Sequence, residues 1–443
     1  MRTEKKMIIS FISMLISGLL IFSGNIYTQE VSKSDVFEKN YDVDANTEIG
    51  FYNKLGDVKI NTWDKQQMRL RVEYTIEVKK PEDLETFVKA IRNPMVEINE
   101  EHLIIDTKFF ESLSTKNSSF SRSTSMKFEN GKSIDIESYK VNYTVYIPRN
   151  NEFFLNSSYS DIQIDALFAR SKLTVYDGNL ELVRCAAPIS FDLRYTDLIA
   201  SELEECVLKL YDSDVEIANA GTLELDSKYS KVHVKECMGV KLNSYDDKIY
   251  FDKVSGIEGT AKYTTLVTTN LNEVVLDAYD CSFDFGNLNM LNLKSSYSRM
   301  AFGNIEQHVD LQSYDDKISF RGIASLEGNS KYTTFTIGII EEKFKLNSYD
   351  DNINVNHLKP GFDLVELETK YTNLEIDVDD KADYKISIDS RYTNIDLDKR
   401  KFDEIILEKE SEKLLADYIK KGGSPKKNSV IRIKSYDGKV EIN

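Results

Sequence analysis

Little in this chain of 443 residues points to chemistry. It has four His, one Trp and four Cys, and no GxSxG, HExxH, P-loop or GxGxxG pattern. His102, His233, His308 and His357 are widely separated and fall at different phases of the tyrosine repeat, so neither a metal site, a cofactor site nor an acid–base centre is expected. Six Pro and 19 Gly exclude collagen-like and low-complexity classes. Positive charge is in deficit, with 57 basic against 74 acidic side chains and a net charge of −17. That balance argues against a nucleic-acid backbone or an anionic membrane surface as the main partner.

Long apolar runs are also scarce. The one candidate, Met7 to Phe22, follows Arg2, Lys5 and Lys6 and precedes Ser23 and Gly24, which is the layout of a signal peptide over residues 1–24. It is short for a transmembrane helix of about 20 residues. No Cys lies near it to carry a lipid. The expectation is an exported protein, in the periplasm or at the cell surface, with no membrane span in the mature chain. Cys185, Cys206, Cys237 and Cys281 lack CxxC spacing and are too sparse for a disulfide scaffold, so free thiols are expected.

What is abundant is Tyr, with 25 residues. Tyr159, Tyr176, Tyr195, Tyr211, Tyr229, Tyr245, Tyr263, Tyr279, Tyr297, Tyr314, Tyr332 and Tyr349 recur at gaps of 16 to 19, and Tyr371, Tyr392 and Tyr436 continue the series. The surrounding text nearly copies itself: Leu242-Asn-Ser-Tyr-Asp-Asp-Lys-Ile, Leu311-Gln-Ser-Tyr-Asp-Asp-Lys-Ile, Leu346-Asn-Ser-Tyr-Asp-Asp-Asn-Ile. From Tyr159 to Tyr349 the residue after each Tyr alternates between Asp and Ser or Thr, so the duplicated unit is about 34 residues made of two halves. Val240, Leu242 and Ser244 share one parity, and Ile249 and Phe251 the other. This is strand periodicity on both sides of a polar turn, not a helical stripe.

Such units alone would expose an apolar face and an open edge, so they must stack. The predicted fold is all-β: a right-handed parallel β-solenoid with about 17 residues per coil. A coil of 34 residues would stack every turn Asp on one edge about 4.8 Å apart, where like charges repel. Alternation relieves that repulsion, which favours 17. From Tyr159 to Tyr392 this makes roughly 14 coils. Residues 31–150 read as an N-terminal β-rich cap. They hold one short helix starting at Pro81, with Leu84, Phe87, Val88 and Ile91 on one face, and a mobile Ser/Thr/Lys-rich loop over 112–132. Residues 151–400 are the solenoid repeats. Residues 401–428 hold a short helical insertion and a loop, the pattern over 403–421 looking helical, and 429–443 form the final coil.

Leu55-Gly-Asp-Val-Lys-Ile with Trp63 after it, Val145-Tyr-Ile-Pro, Tyr159-Ser-Asp-Ile-Gln-Ile and Ser435-Tyr-Asp-Gly-Lys-Val carry a resemblance to the bacterial putative-adhesin family. Those are secreted β-solenoid domains of unknown function from Gram-negative bacteria. The resemblance spans most of residues 45–443 and implies an extracytoplasmic location and adhesion. Here Asp or Thr often replaces the family's turn glycine.

The candidate binding face is the column Tyr211, Tyr229, Tyr245, Tyr263, Tyr279, Tyr297, Tyr314, Tyr332 and Tyr349, together with Asp246, Asp315 and Asp350. Its rings suit C–H stacking by sugars; structurally they form a ladder of offset-stacked rings. The pairs Asp246/Asp247, Asp315/Asp316 and Asp350/Asp351 read as solvated turn carboxylates rather than calcium ligands. A glycosidase-like carboxylate pair is disfavoured, because the motif recurs and an active site is unique. The expected function is a non-enzymatic exported scaffold that binds a glycan or a cell-envelope protein. The alternatives are a structural envelope-stress scaffold without ligand and a polysaccharide-acting β-helix enzyme.

Overall fold

A computed structural model describes residues 31–117, 122–128, 131–422 and 429–443; the signal segment 1–24 lies outside them. The chain is nearly all β, a parallel β-solenoid of about 13 turns with about 18 residues per turn and one short α-helix. Register decides the coil length. Val215 lies opposite Val232, Val232 opposite Ile249, and Ile249 opposite Leu266, so each coil returns after 17 residues. At other steps, such as Leu173 to Phe191, the return takes 18. The 34-residue sequence period therefore spans two coils.

Within a coil the inward positions follow from period 2 interrupted by bends. Asp247, Ile249, Phe251, Val254, Ile257, Ala261 and Thr264 are all buried. Their spacing opens from two residues to three at 251–254, 254–257 and 261–264, where the chain turns the corners of the coil. Because coils stack in register, each inward position becomes a column. One column holds Ile217, Val234, Phe251, Thr268, Phe285, Phe302 and Phe320 in successive coils. Phe302 and Phe320 stack there at 5.2 Å and 17°. The four cysteines are free and buried in the same interior.

The parallel stack begins before residue 151. Glu48–Asn53 pairs in parallel with Phe153–Ser158, and Val58 to Ile60 with Ile162 to Ile164. Below these lie His102–Asp106 on one side and Ser133–Pro148 on the other. An antiparallel sheet of Val31–Asp42, Gln67–Val78 and Ser133–Pro148 completes this end. The helix Pro81–Ile91 covers it, with Phe87 fully buried against Tyr74 and Phe109.

Three expectations need correction. Within the segment 112–132 expected as a mobile loop, Ser112–Asn117 and Arg122–Lys127 are strands that pair antiparallel. Ser and Thr are compatible with strands, and Met126 and Phe128, two residues apart, are buried. Residues 403–421 are not helical. Phe402–Glu410 and Lys413–Lys420 form a hairpin, preceded by a single 3-10 turn at Lys399–Lys401. Its Glu, Lys and Leu favour a helix, yet Lys413–Lys420 pairs antiparallel with Lys385 to Arg391 and satisfies main-chain groups a helix would leave open.

The third correction is topological. Val430–Ile442 is not the final coil. It sits between Leu364–Val378 and Lys385–Leu397, parallel to both, with Ile433 opposite both Leu367 and Ile388. A strand later in the chain thus separates two earlier ones.

Thr268 interrupts the Phe column with a buried Oγ1 that has no hydrogen-bond partner. Thr268→Val keeps the shape and removes the unpaired hydroxyl, so unfolding in urea should show a gain of about 1 kcal/mol. A loss of stability would contradict this account of the column.

Candidate functional site

The turn that closes each coil places its residues in two adjoining columns. In one, the backbone is left-handed at every rung: Tyr159, Asp177, Tyr195, Asp212, Tyr229, Asp246, Tyr263, Asp280, Tyr297, Asp315, Tyr332, Asp350, Tyr371, Asp437 and Tyr392 all have φ between 48° and 59°. Asp tolerates this region; Tyr does so at a cost of about 1–2 kcal/mol. In the other column, one residue earlier, the pattern is complementary. Tyr211, Tyr245, Tyr279 and Tyr314 precede the left-handed Asp, while Lys228, Lys262 and Lys331 precede the left-handed Tyr. The edge is a checkerboard of Tyr, flanked by Asp on one side and, except at Ser158 and Ser296, by cations on the other.

This arrangement brings all nine sequence-predicted tyrosines together. From Tyr159 to Tyr371, then Tyr436 and Tyr392, fifteen rings form one file with centroids 5.3–6.0 Å apart and planes inclined by 72–87°. The expected offset stacking is corrected to edge-to-face packing. Successive rings can stand at right angles because they issue from two backbone positions of different conformation. The 34-residue sequence period is this alternation, with charge relief as a by-product. The ladder remains accessible, the left-handed Tyr such as Tyr263 being 44% exposed.

Tyr195, Tyr229, Tyr263, Tyr297 and Tyr332 have phenol pKa values pushed up, first by desolvation against adjacent rungs and then by neighbouring phenols and Asp. Their hydroxyls stay protonated through neutral pH. Each of these five rungs therefore offers a donor as well as an apolar ring edge.

The Asp pairs split. Asp246, Asp315 and Asp350 are exposed in the left-handed column, whereas Asp247, Asp316 and Asp351 turn inward and are buried. A left-handed residue breaks strand alternation, so the next side chain falls inside. The pairs are therefore not two solvated carboxylates each. The buried members join an interior polar column with Thr196, Ser213, Ser230, Thr264, Ser298, Thr333 and Thr372. Along this column, side chains accept the main-chain N–H of the rung before. Ser213 N–H donates to Ser230 Oγ at 3.2 Å, Ser230 N–H to Asp247 Oδ1 at 2.7 Å, and Ser298 N–H to Asp316 Oδ1 at 2.7 Å. Asp247 Oδ2 also accepts from Ser244 Oγ at 2.6 Å.

Sequence reading missed this polar column and the cation column, although the recurring Lys-Tyr pairs at 228–229, 262–263, 331–332 and 370–371 signalled the latter. The four His stay apart; His233 meets Asp252 and His357 meets Asp379 on the surface. Among the described residues, no three His, Cys, Asp or Glu are grouped to hold a metal ion, and no helix is long and apolar enough to cross a membrane.

No family model and no curated protein matches the chain. Solved structures with a likeness include a putative cell adhesion protein from Clostridium sporogenes, at 8% identity and TM-score 0.18, covering 93% of this chain and 99% of that one. A putative lipid binding protein from Parabacteroides distasonis shares 13% identity at TM-score 0.20, covering 73% and 94%. A putative adhesin from Parabacteroides merdae shares 11% at TM-score 0.16, covering 72% and 95%. Likenesses this remote carry no argument about function.

Burial pushes the carboxyls of Asp247, Asp316 and Asp351 above the usual range, and their hydrogen bonds only partly offset it. An acid with a raised folded-state pKa contributes stability that is present at low pH and lost as pH rises through that pKa. Ser fills the same column in other coils, so Asp247→Ser/Asp316→Ser/Asp351→Ser should fold. Relative to the parent, the variant's Tm should be higher at pH 8 than at pH 4, with the lost packing a constant offset. A Tm difference independent of pH would contradict the buried-charge assignment.

Proposed function

We propose that this chain is an exported, non-enzymatic binding scaffold of the cell envelope, using the Tyr-edged face as its recognition surface. The observation that supports this reading is that eight Tyr occupy left-handed backbone on an exposed edge. Asn or Gly would form that turn without strain, and backbone strain held in place by its surroundings clusters at functional sites. The face repeats equivalent shallow positions along one axis, which suits a long ligand better than a single reacting group. Export rests on the signal pattern in residues 1–24. The adhesin resemblance fits the same reading without adding weight to it.

A structural scaffold without ligand is the second reading. Each edge-to-face contact contributes about 0.5–1.5 kcal/mol and ties one coil to the next, so the ladder has a stabilising role in either case.

Tyr245→Thr/Tyr279→Thr/Tyr314→Thr separates the two. These three precede the left-handed residue, so a β-branched side chain is tolerated there. The expected result is a lowered Tm together with at least a tenfold loss of binding to the glycans that the parent retains on an array. A lowered Tm with unchanged binding, or no glycan retained by the parent, would favour the scaffold.

A further inference from the structure

The rungs of the ladder are not equivalent in charge. Near the C-terminal hairpin the turn edge opens into a groove of about 1000 Å³, whose wall is formed by Tyr349, Tyr371 and Tyr436. Its lining includes five cations, Lys331, Lys370, Arg391, Lys413 and Lys434, against two carboxylates, Glu368 and Asp389. Lys434 pairs with Glu368 at 3.2 Å. The other four cations form no ion pair among the described residues. Arg391 also lies directly opposite Lys413 across an antiparallel pair. Like charges so placed are destabilising, as they are at Lys231 opposite Lys248 and Arg299 opposite Lys317 nearer the N-terminal end. In a chain of net charge −17 the groove lining itself carries three more cations than carboxylates, with Asp350 and Asp437 beside it in the left-handed column.

The cations are also spaced. Lys331 lies opposite Tyr349, Tyr349 opposite Lys370, Lys370 opposite Tyr436, and Tyr436 opposite Arg391. Cation and ring therefore alternate over five rungs, with a cation every second coil, about 9.6 Å apart on the strand spacing. An extended peptide presents the same face every second residue, about 6.7 Å, and does not match this step. A chain of acidic sugar rings does: every second carboxylate or sulfate meets a cation, and the intervening ring meets a Tyr.

We infer that this groove is a binding site for an acidic linear polysaccharide lying along the solenoid axis. The inference rests on the proposed role of the Tyr face and adds both the place and the ligand class. The probes are alginate, a polyuronate, and neutral dextran, titrated calorimetrically into the full chain. Alginate should bind and dextran should not. Lys331→Gln/Lys370→Gln/Arg391→Gln should weaken alginate binding at least tenfold with unchanged circular dichroism, and raised salt should weaken the parent likewise. Arg184→Gln/Lys235→Gln/Lys253→Gln, exposed cations away from the Tyr file, should leave affinity within twofold. Equal losses from the two triples, no loss from the first, or equal binding of dextran would overturn the groove assignment while leaving the Tyr face as a binding surface. A polyproline peptide, whose turn of about 9.3 Å also fits the step, would overturn the ligand class if it bound in place of alginate. Failure of both polysaccharides to bind overturns this inference; the Tyr-to-Thr variant tests the broader reading on its own glycans.

Discussion

Main-chain hydrogen bonding between parallel neighbours sets the terms for everything else in this molecule. Each strand must find its partner on the coil before it, so the chain must come back to the same place within 17 or 18 residues. Period-2 patterning then sorts side chains in or out, and the bends decide where the count slips by one. Once the return is fixed, like positions meet like positions, and columns form without further instruction: a Phe column, a Ser/Thr/Asp column and a Tyr file.

The turn shows how one backbone choice serves several ends. A left-handed residue closes the coil sharply, and it also reverses the parity of the strand after it. The side chain at that residue faces water, and the next one faces the interior, where it caps the N–H of the adjacent rung. Using Asp and Tyr alternately in the left-handed position lets successive rings meet edge to face. That packing explains why the text repeats every second coil while the architecture repeats every one. The charged residues fall into place around the rings as a consequence.

The repeat was legible because it is written in residues that cannot be mistaken for filler: Leu242-Asn-Ser-Tyr-Asp-Asp and its copies mark the turns, and the flanking alternation marks strands. The helix at Pro81–Ile91 was equally plain from its proline start and its i, i+3, i+4, i+7 face. What escaped depended on long-range partners. Nothing local in Phe402–Glu410 or Lys413–Lys420 announces that the second strand will cover an open edge. Asp246 and Asp247 look alike in a string of letters; only the left-handed φ of the first sends them to opposite sides. The groove cations come from separate segments of the chain, so their proximity is a product of stacking.

The displaced strand near the C-terminal end bears on how the rod is assembled. Lys385–Leu397 precedes Val430–Ile442 in the chain, and it matches Leu364–Val378 in the register that the later segment occupies. If these two zip together first, they have to part again to admit the third. Completion is then a wedging step, in which one set of ladder bonds is exchanged for two.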